Sequence, residues 1–103
     1  MNIELIYDNI CPNVEAAREV LSNALEQSGL PGKWDELNKD DGECPKHAKY
    51  YGSPTILVNG KDVAGLEPDS GMDCCRIYDH GEDGMKGIPT VDMIISAIQN
   101  FRE

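Results

Sequence analysis

The chain is poor in positive charge: its 103 residues hold 9 Lys and Arg against 19 Asp and Glu, for a net charge of −10. Nucleic acids and anionic membranes are bound through basic patches, so we expect neither as a partner and expect a basic protein to be favoured. Long hydrophobic runs are also lacking, and none approaches the roughly 20 apolar residues that span a bilayer. The start, Met1-Asn2-Ile3-Glu4, has no basic region or long apolar run of a signal peptide, which predicts a cytoplasmic protein.

Several chemical signatures are missing too. No nucleotide-binding loop, no paired-carboxylate site and no Ser, His and Asp order can be recognised, so we expect no organic cofactor. The length suits one domain, residues 1–103, with a modest core. The four cysteines are therefore the main candidates for chemistry. In a reducing cytosol they are more typical of reactive or metal-binding thiols than of a disulfide framework.

The most informative stretch is residues 52–65. Its apolar run Thr55-Ile56-Leu57-Val58 shows no polar alternation after Thr55 and predicts a strand buried on both faces. Asn59-Gly60 supplies the two residues of a tight hairpin turn, and 61–64 predicts the returning strand. Pro54, which lacks an N–H, fits the entry to the first of these strands.

The remaining elements follow from periodicity and from helix-end signals. The sequence predicts a strand at 3–7, a helix at 12–27, a short helix at 44–51 and a last helix at 90–102. Residues 33–38 show no strand pattern, because Trp34 and Leu37 are three apart and do not share a strand face. Pro12 suits the first helical position, which places Cys11 at the N-cap. Apolar spacing predicts the buried stripes of the two long helices: Val14, Ala17, Val20, Leu21, Ala24 and Leu25 in the first, and Val91, Ile94, Ile95 and Ile98, closed by Phe101, in the second.

Residues 66–88 interrupt this pattern. The segment is rich in glycine and acids, and it predicts a loop of over twenty residues before the last helix. Loops of that length are usually functional or disordered. It carries the adjacent pair Cys74-Cys75, followed by Arg76-Ile77-Tyr78.

The order strand, helix, strand, short helix, strand, strand, helix resembles the thioredoxin fold. Cys11-Pro12-Asn13-Val14 is similar to the glutaredoxin pattern Cys-Pro-x-Cys, with Val14 in place of the second cysteine. The resemblance covers nearly the whole chain except 66–88. It implies a thioredoxin-like α/β domain, β-α-β-α-β-β-α, with a four-stranded mixed sheet, both long helices packed on it and a long insert before the last helix. The strand at 33–38 is expected only because this fold requires one there.

The resemblance also implies a site. A cis proline at Pro54 would open the third strand, and its loop would face Cys11. Pro12, Ser53, Pro54 and Thr55 would then contact a thiol or disulfide substrate.

A thiol at a helix N-terminus faces unpaired N–H groups, and these favour the nucleophilic thiolate. With Val14 in the motif, Cys11 would act as a monothiol in thiol–disulfide exchange, and Cys44, Cys74 or Cys75 could supply a second thiol. Asp8 stands three residues before Cys11, and a nearby carboxylate opposes thiolate formation. The alternative is that Cys11 is a small buried residue at a helix end, in a redox-inert interaction domain.

A second hypothesis rests on Cys74 and Cys75, because neighbouring thiolates suit soft metals such as mercury, arsenic and copper. The protein would then bind or detoxify such a metal. The alternative is a loop anchored by one buried cysteine. A zinc set of Cys44, His47, Cys74, Cys75 and His80 is a weaker possibility because its second half lacks the usual gap between ligands.

Overall fold

The computed structural model describes residues 2–9, 12–47, 51–65, 78–79 and 84–102. Within them the chain is a mixed α/β structure, in which a four-stranded sheet packs against two helices and a separate pair of short strands precedes the last helix. The elements are β1 (Ile3–Tyr7), α1 (Val14–Gln27), β2 (Asp35–Asn38), β3 (Thr55–Val58), β4 (Lys61–Asp62), β5 (Tyr78–Asp79), β6 (Met85–Lys86) and α2 (Val91–Arg102).

The sheet has the strand order β2-β1-β3-β4. β2 runs parallel to β1, whereas β3 is antiparallel to both β1 and β4, so the predicted four-stranded mixed sheet is confirmed. Leu5 at the middle of β1 lies opposite Ile56 on one side and Glu36 on the other. The parallel β1–β2 pair requires a crossover connection, and α1 supplies it.

The two central strands are buried on both faces. Leu5, Ile56 and Val58 face α1 and α2, and the alternate residues Ile6 and Leu57 face the opposite side. All four residues of β3 are buried, as its uninterrupted apolar run predicted. Most of the predicted helix stripes are buried in the same core: Val14, Ala17, Leu21, Ala24 and Leu25 from α1, and Ile94 and Ile98 from α2. Val20, Val91 and Ile95 of the predicted stripes pack against this core but are only partly buried.

The N-terminus of α1 differs from the prediction. The helix begins at Val14 and its N-cap is Asn13, whose carbonyl accepts the Ala17 amide at 2.9 Å. Pro12 lies in the preceding turn, since its fixed φ suits a turn as well as a first helical turn. The predicted N-cap position of Cys11 is therefore wrong. Cys11 lies outside the described residues and precedes the N-cap by two positions, which weakens the helix-dipole argument because the dipole acts within the first turn.

Two smaller differences lie near the C-terminus. β4 covers only Lys61–Asp62, so the predicted strand at 61–64 is shorter. Phe101 does not close the buried stripe of α2, because 39% of it is exposed. Its ring lies near Lys61 of β4, whose Nζ is 6.0 Å from the ring centroid. Phe101 comes four residues after Ala97, so the two residues lie on the same side of α2.

The short helix predicted at 44–51 is described only in part. Lys46 and His47 belong to a turn of 3₁₀ helix, and residues 48–50 lie outside the described set. Within the insert 66–88, the strands β5 and β6 pair with each other. Neither α1 nor α2, the two helices of the described chain, is long and apolar enough to cross a bilayer.

An ion pair fixes α1 to β2. Arg18 donates from Nε and Nη2 to the two carboxylate oxygens of Glu36, each at 2.8 Å, and its guanidinium lies 5.4 Å from the centroid of the Tyr7 ring. Trp34 Nε1 donates to Glu36 Oε2 at 3.1 Å. The hydrogen bonds between Arg18 and Glu36 have the largest effect on both groups: they lower the pKa of Glu36 below its ordinary value and raise the pKa of Arg18.

Glu36→Gln should remove this pair and lower the free energy of unfolding by about 0.5–1 kcal/mol at neutral pH. Because folding lowers the pKa of Glu36, its contribution is present above the ordinary value of 4.5 and is lost as the pH falls through the folded value. Urea unfolding of both proteins from acid to neutral pH should show the two curves converging in acid. Glu15→Gln, which removes the other carboxylate that Arg18 contacts, is the control, and its largely exposed side chain should matter less.

Gly60→Ala should destabilise the β3–β4 hairpin by about 1 kcal/mol, because Gly60 has φ +84° and a Cβ is disfavoured there. Nothing lies within 4 Å of the added methyl, so the cost would be conformational and not steric. Gly32→Ala is the matched control, since Gly32 has open space and no positive φ. Equal thermal unfolding midpoints for the two variants would contradict the assignment of strain to the turn.

Candidate functional site

The candidate site lies where the chain leaves β1. The amide of Asp8 donates to Ser53 Oγ at 3.2 Å, which ties the segment after β1 to the loop that enters β3. This loop is the one that contains Pro54. The hydrogen bond therefore joins the two segments that the resemblance to the thioredoxin fold implies to form one site.

The other flank of the same segment is held by the end of β2. The amide of Asn9 donates to Asp40 Oδ2 at 2.8 Å, and Asn38 Nδ2 donates to Asn9 Oδ1 at 2.8 Å. The amide of Asp40 in turn donates to Asn38 Oδ1 at 2.9 Å. These three polar side chains close a small network, so the position of residue 9 is fixed by side chains as well as by the sheet.

The loop that contains Pro54, here called the proline loop, is held in place by burial and by a hydrogen bond of its own. Residues 51–58 are all buried, and the hydroxyl of Thr55 donates to the carbonyl of Gly52 at 2.6 Å. The Ser53–Pro54 peptide bond is cis. The loop therefore carries its own hydrogen bond and is packed by the protein on all sides.

The β5–β6 pair reaches the same region. Tyr78 is buried, and its hydroxyl donates to the carbonyl of Pro54 at 2.6 Å. Just after β6, Gly87 passes so close to Asn13 that a Cβ on the glycine would clash with Asn13 Nδ2. The described ends of the insert thus contact both the proline loop and the residue that caps α1.

The predicted site residues fall into two groups. Cys11, Cys74, Cys75 and His80 lie outside the described residues. The predicted substrate-contacting residues are described: Ser53, Pro54 and Thr55 are buried by the protein itself, and Pro12 is exposed.

Cys44 lies on the sheet face opposite the two long helices. It is half-buried beside Ile6, Tyr51 and Leu37, and its Sγ donates to the carbonyl of Pro45 at 3.6 Å. Nearby, His47 Nε2 lies 3.4 Å from Glu4 Oε1 with about half of its side chain exposed. Among the described residues no group of three or more His, Cys, Asp and Glu side chains could hold a metal ion.

The charge at the candidate site is negative. Asp8 directly follows β1 and the Asp40 carboxylate accepts the Asn9 amide; among the described residues Asp8 Oδ1 is buried without a hydrogen-bond partner. A buried carboxylate oxygen is costly unless it is paired. Within the described part of the site, Asp8 Oδ1 is therefore a hydrogen-bond acceptor that no described contact uses.

An open groove lies elsewhere on the described surface. It has a volume of about 920 Å³ and runs between β4 and α2, beside Lys61, Met93 and Phe101. Its described lining includes no cysteine or histidine, so it adds nothing to thiol chemistry.

Sequence reasoning missed two parts of this geometry. Asp40 belongs to an acidic run that predicts only a solvated turn, yet its carboxylate fixes Asn9. Tyr78 offered one signal, because an aromatic residue after Ile77 in a polar, glycine-rich segment is typical of an anchor. Its partner Pro54 is 24 residues away and could not be read from local pattern.

Comparisons with models of protein families, with curated proteins and with solved structures found no match for this chain.

Ser53→Ala should destabilise the protein by about 1–3 kcal/mol, because it leaves the partly buried amide of Asp8 without its acceptor. Hydrogen exchange at the Asp8 amide should accelerate by more than the global loss of stability explains. Ser22→Ala, which makes the same change at an exposed position of α1, should cost nothing measurable. An Asp8 amide that keeps its protection in Ser53→Ala would show that this contact does not tie the two segments.

Proposed function

We propose that the chain is a thioredoxin-like domain and a small thiol protein of the thioredoxin or glutaredoxin type, with Cys11 as a monothiol nucleophile in thiol–disulfide exchange. The single observation that carries the proposal is the hydrogen bond between the Asp8 amide and Ser53 Oγ. It holds the segment that leads to Cys11 against the loop that contains Pro54.

The surrounding geometry supports the same proposal. Cys11 is bonded directly to the exposed Pro12, and α1 begins at Val14 immediately after that turn. Val14 is itself buried, so the position where a dithiol motif has its second cysteine is filled by a core side chain. The amides at the start of a helix favour an anion, and in the chain Cys11 comes two residues before the N-cap Asn13.

The proposed reaction has two balanced steps. The Cys11 thiolate attacks one sulfur of a disulfide, which forms a mixed disulfide and releases the other sulfur as a thiolate. A second thiol, deprotonated to its thiolate, then attacks the mixed disulfide, which regenerates the Cys11 thiolate and leaves a new disulfide. Over the two steps one disulfide is exchanged for another: the incoming thiol enters the new disulfide and one thiol of the substrate is released, so full reduction of the substrate disulfide consumes two incoming thiols.

The acidic charge favours a basic partner. A net charge of −10 attracts cationic substrates at long range and repels anionic ones. We therefore propose that it acts on a thiol or disulfide compound that carries positive charge; the proposed exchange chemistry suits the reducing cytoplasm. The neighbouring carboxylate of Asp8 opposes thiolate formation, so the helix amides and this acid act against each other.

The test is the rate of iodoacetamide trapping at each cysteine as a function of pH. Trypsin separates the thiols, because Cys11 falls in peptide 1–18, Cys44 in 40–46 and the Cys74-Cys75 pair in 62–76. An activated Cys11 should reach half of its maximal rate well below the free-thiol value of about 8.5. Cys44, half-buried in an apolar cluster, serves as the internal control and should react more slowly.

The outcomes separate the three hypotheses. An inert Cys11 beside a reactive Cys74-Cys75 pair would contradict the exchange reaction and direct the next measurement to soft metals. An inert Cys11 and no uptake of mercury, arsenite or copper would leave an interaction domain without redox chemistry. A catalytic role also requires that Cys11→Ser abolish reduction of a small disulfide, whereas Cys44→Ser should keep it.

A further inference from the structure

A second row of apolar side chains lies on α2, apart from the stripe that packs in the core. Ile94 and Ile98 of that stripe are buried. Met93, Ala97 and Phe101 follow one another four residues apart and are left at least partly exposed. All three line the open groove between α2 and β4. These three residues, here called the α2 ridge, therefore form an apolar surface that is partly open to solvent.

The facing wall of the groove offers little of a strand edge. The amide of Gly65 donates to the carbonyl of Asp62 at 2.9 Å. The amide of Val63 donates to the carbonyl of Ile56 at 3.1 Å, and β4 itself is only two residues long. An extended peptide binds a sheet edge through a row of free backbone groups, and β4 is too short to supply that row. A partner in this groove therefore has to bind mainly through its side chains.

The geometry of the α2 ridge suits a helix. Residues four apart form one of the rows that interdigitate when two helices pack. From Met93 to Phe101 the ridge extends about 12 Å, a little over two helical turns. An amphipathic helix that lies in a groove presents its own apolar residues at three- and four-residue spacing. The length and spacing of the ridge therefore match an amphipathic helix of about three turns.

The charges around the ridge favour a basic partner. Asp92 lies on the rim of the groove, is exposed and makes no ion pair with a described residue. At the other end of the ridge, Lys61 Nζ lies 6.0 Å from the centroid of the Phe101 ring. The chain as a whole carries a charge of −10, which attracts cations at long range. A basic side chain of the partner is therefore expected at the Asp92 end, away from Lys61.

We propose that the groove between α2 and β4 binds an amphipathic helix of a basic partner protein. Its apolar side chains would pack on the α2 ridge, and a basic side chain would pair with Asp92. The inference goes beyond the thiol chemistry and does not depend on it, because the described lining of the groove includes no cysteine. A second copy of this chain is disfavoured as the occupant, since two molecules that each carry −10 repel one another.

The probe is a synthetic peptide of about three helical turns, with leucine at three- and four-residue spacing and lysine elsewhere. Two peptides of equal length are controls: one has glutamate in place of lysine, and one has the basic composition in an order without an apolar stripe. Each is titrated into the isotope-labelled full chain while the amide chemical shifts are followed by NMR. We expect the basic amphipathic peptide to shift the amides of 61–65 and 93–101, and the acidic peptide to bind about tenfold more weakly.

Two variants test the ridge and the charge separately. Phe101→Ala should weaken binding of the basic peptide about tenfold, because a few aromatic side chains carry most of the affinity of an interface. Gln99→Ala, at an exposed position of α2 outside the groove lining, should leave binding unchanged. Asp92→Asn should weaken binding about threefold, the effect of one exposed ion pair. Glu26→Gln removes the same charge from an exposed position of α1 and should have a smaller effect.

Circular dichroism and the thermal unfolding midpoint show that each variant is folded. A basic peptide that shifts no groove amide overturns the proposal, as does equally tight binding of either control peptide. Equal losses in Asp92→Asn and Glu26→Gln would mean that net charge alone attracts the peptide, which also overturns it. So would groove amides that shift when the protein is concentrated without peptide, because the occupant would then be a second copy. None of these measurements depends on whether Cys11 reacts.

Discussion

The antiparallel pairing of β1 with β3 is the interaction on which the rest of the structure depends. The two strands are central, and Leu5, Ile6 and Ile56 are fully buried between the layers that cover the sheet. Full burial of each such side chain is worth about 1.5–3 kcal/mol. A slip of one residue would turn each apolar side chain to the wrong face, so the register is firmly set. That register brings the end of β1 beside the start of β3, where Asp8 meets Ser53.

Because both faces of the central strands are filled, polar chemistry is confined to their ends. Four segments meet at the carboxyl end of β1: the exit from β1, the end of β2, the loop before β3 and the β5–β6 pair. Each is held by hydrogen bonds that do not depend on a ligand. These contacts therefore fix the geometry of the candidate site from within the protein, which is the condition for precise positioning of any reactive group placed there.

Local features of the fold could be predicted from the sequence, and long-range ones could not. The run Thr55–Val58 and the turn Asn59-Gly60 were confirmed, because composition and backbone preference decide both within a few residues. The start of α1 was wrong by two positions, since Pro12 is compatible with either a turn or a first helical turn. The contact of Tyr78 with Pro54 depends on how the insert folds back, and no periodicity encodes that.

The two edges of the sheet have a consequence for behaviour in concentrated solution. The open edge of a sheet has unpaired backbone N–H and C=O groups. A strand of another chain can pair with them, and such pairing leads to aggregation. β2 carries exposed Asp35 and Glu36 on one border, where two copies would bring like charges together. β4, on the other border, is only two residues long. One edge strand is charged and the other is short, and the net charge of the chain is −10. All three features oppose self-association at high protein concentration.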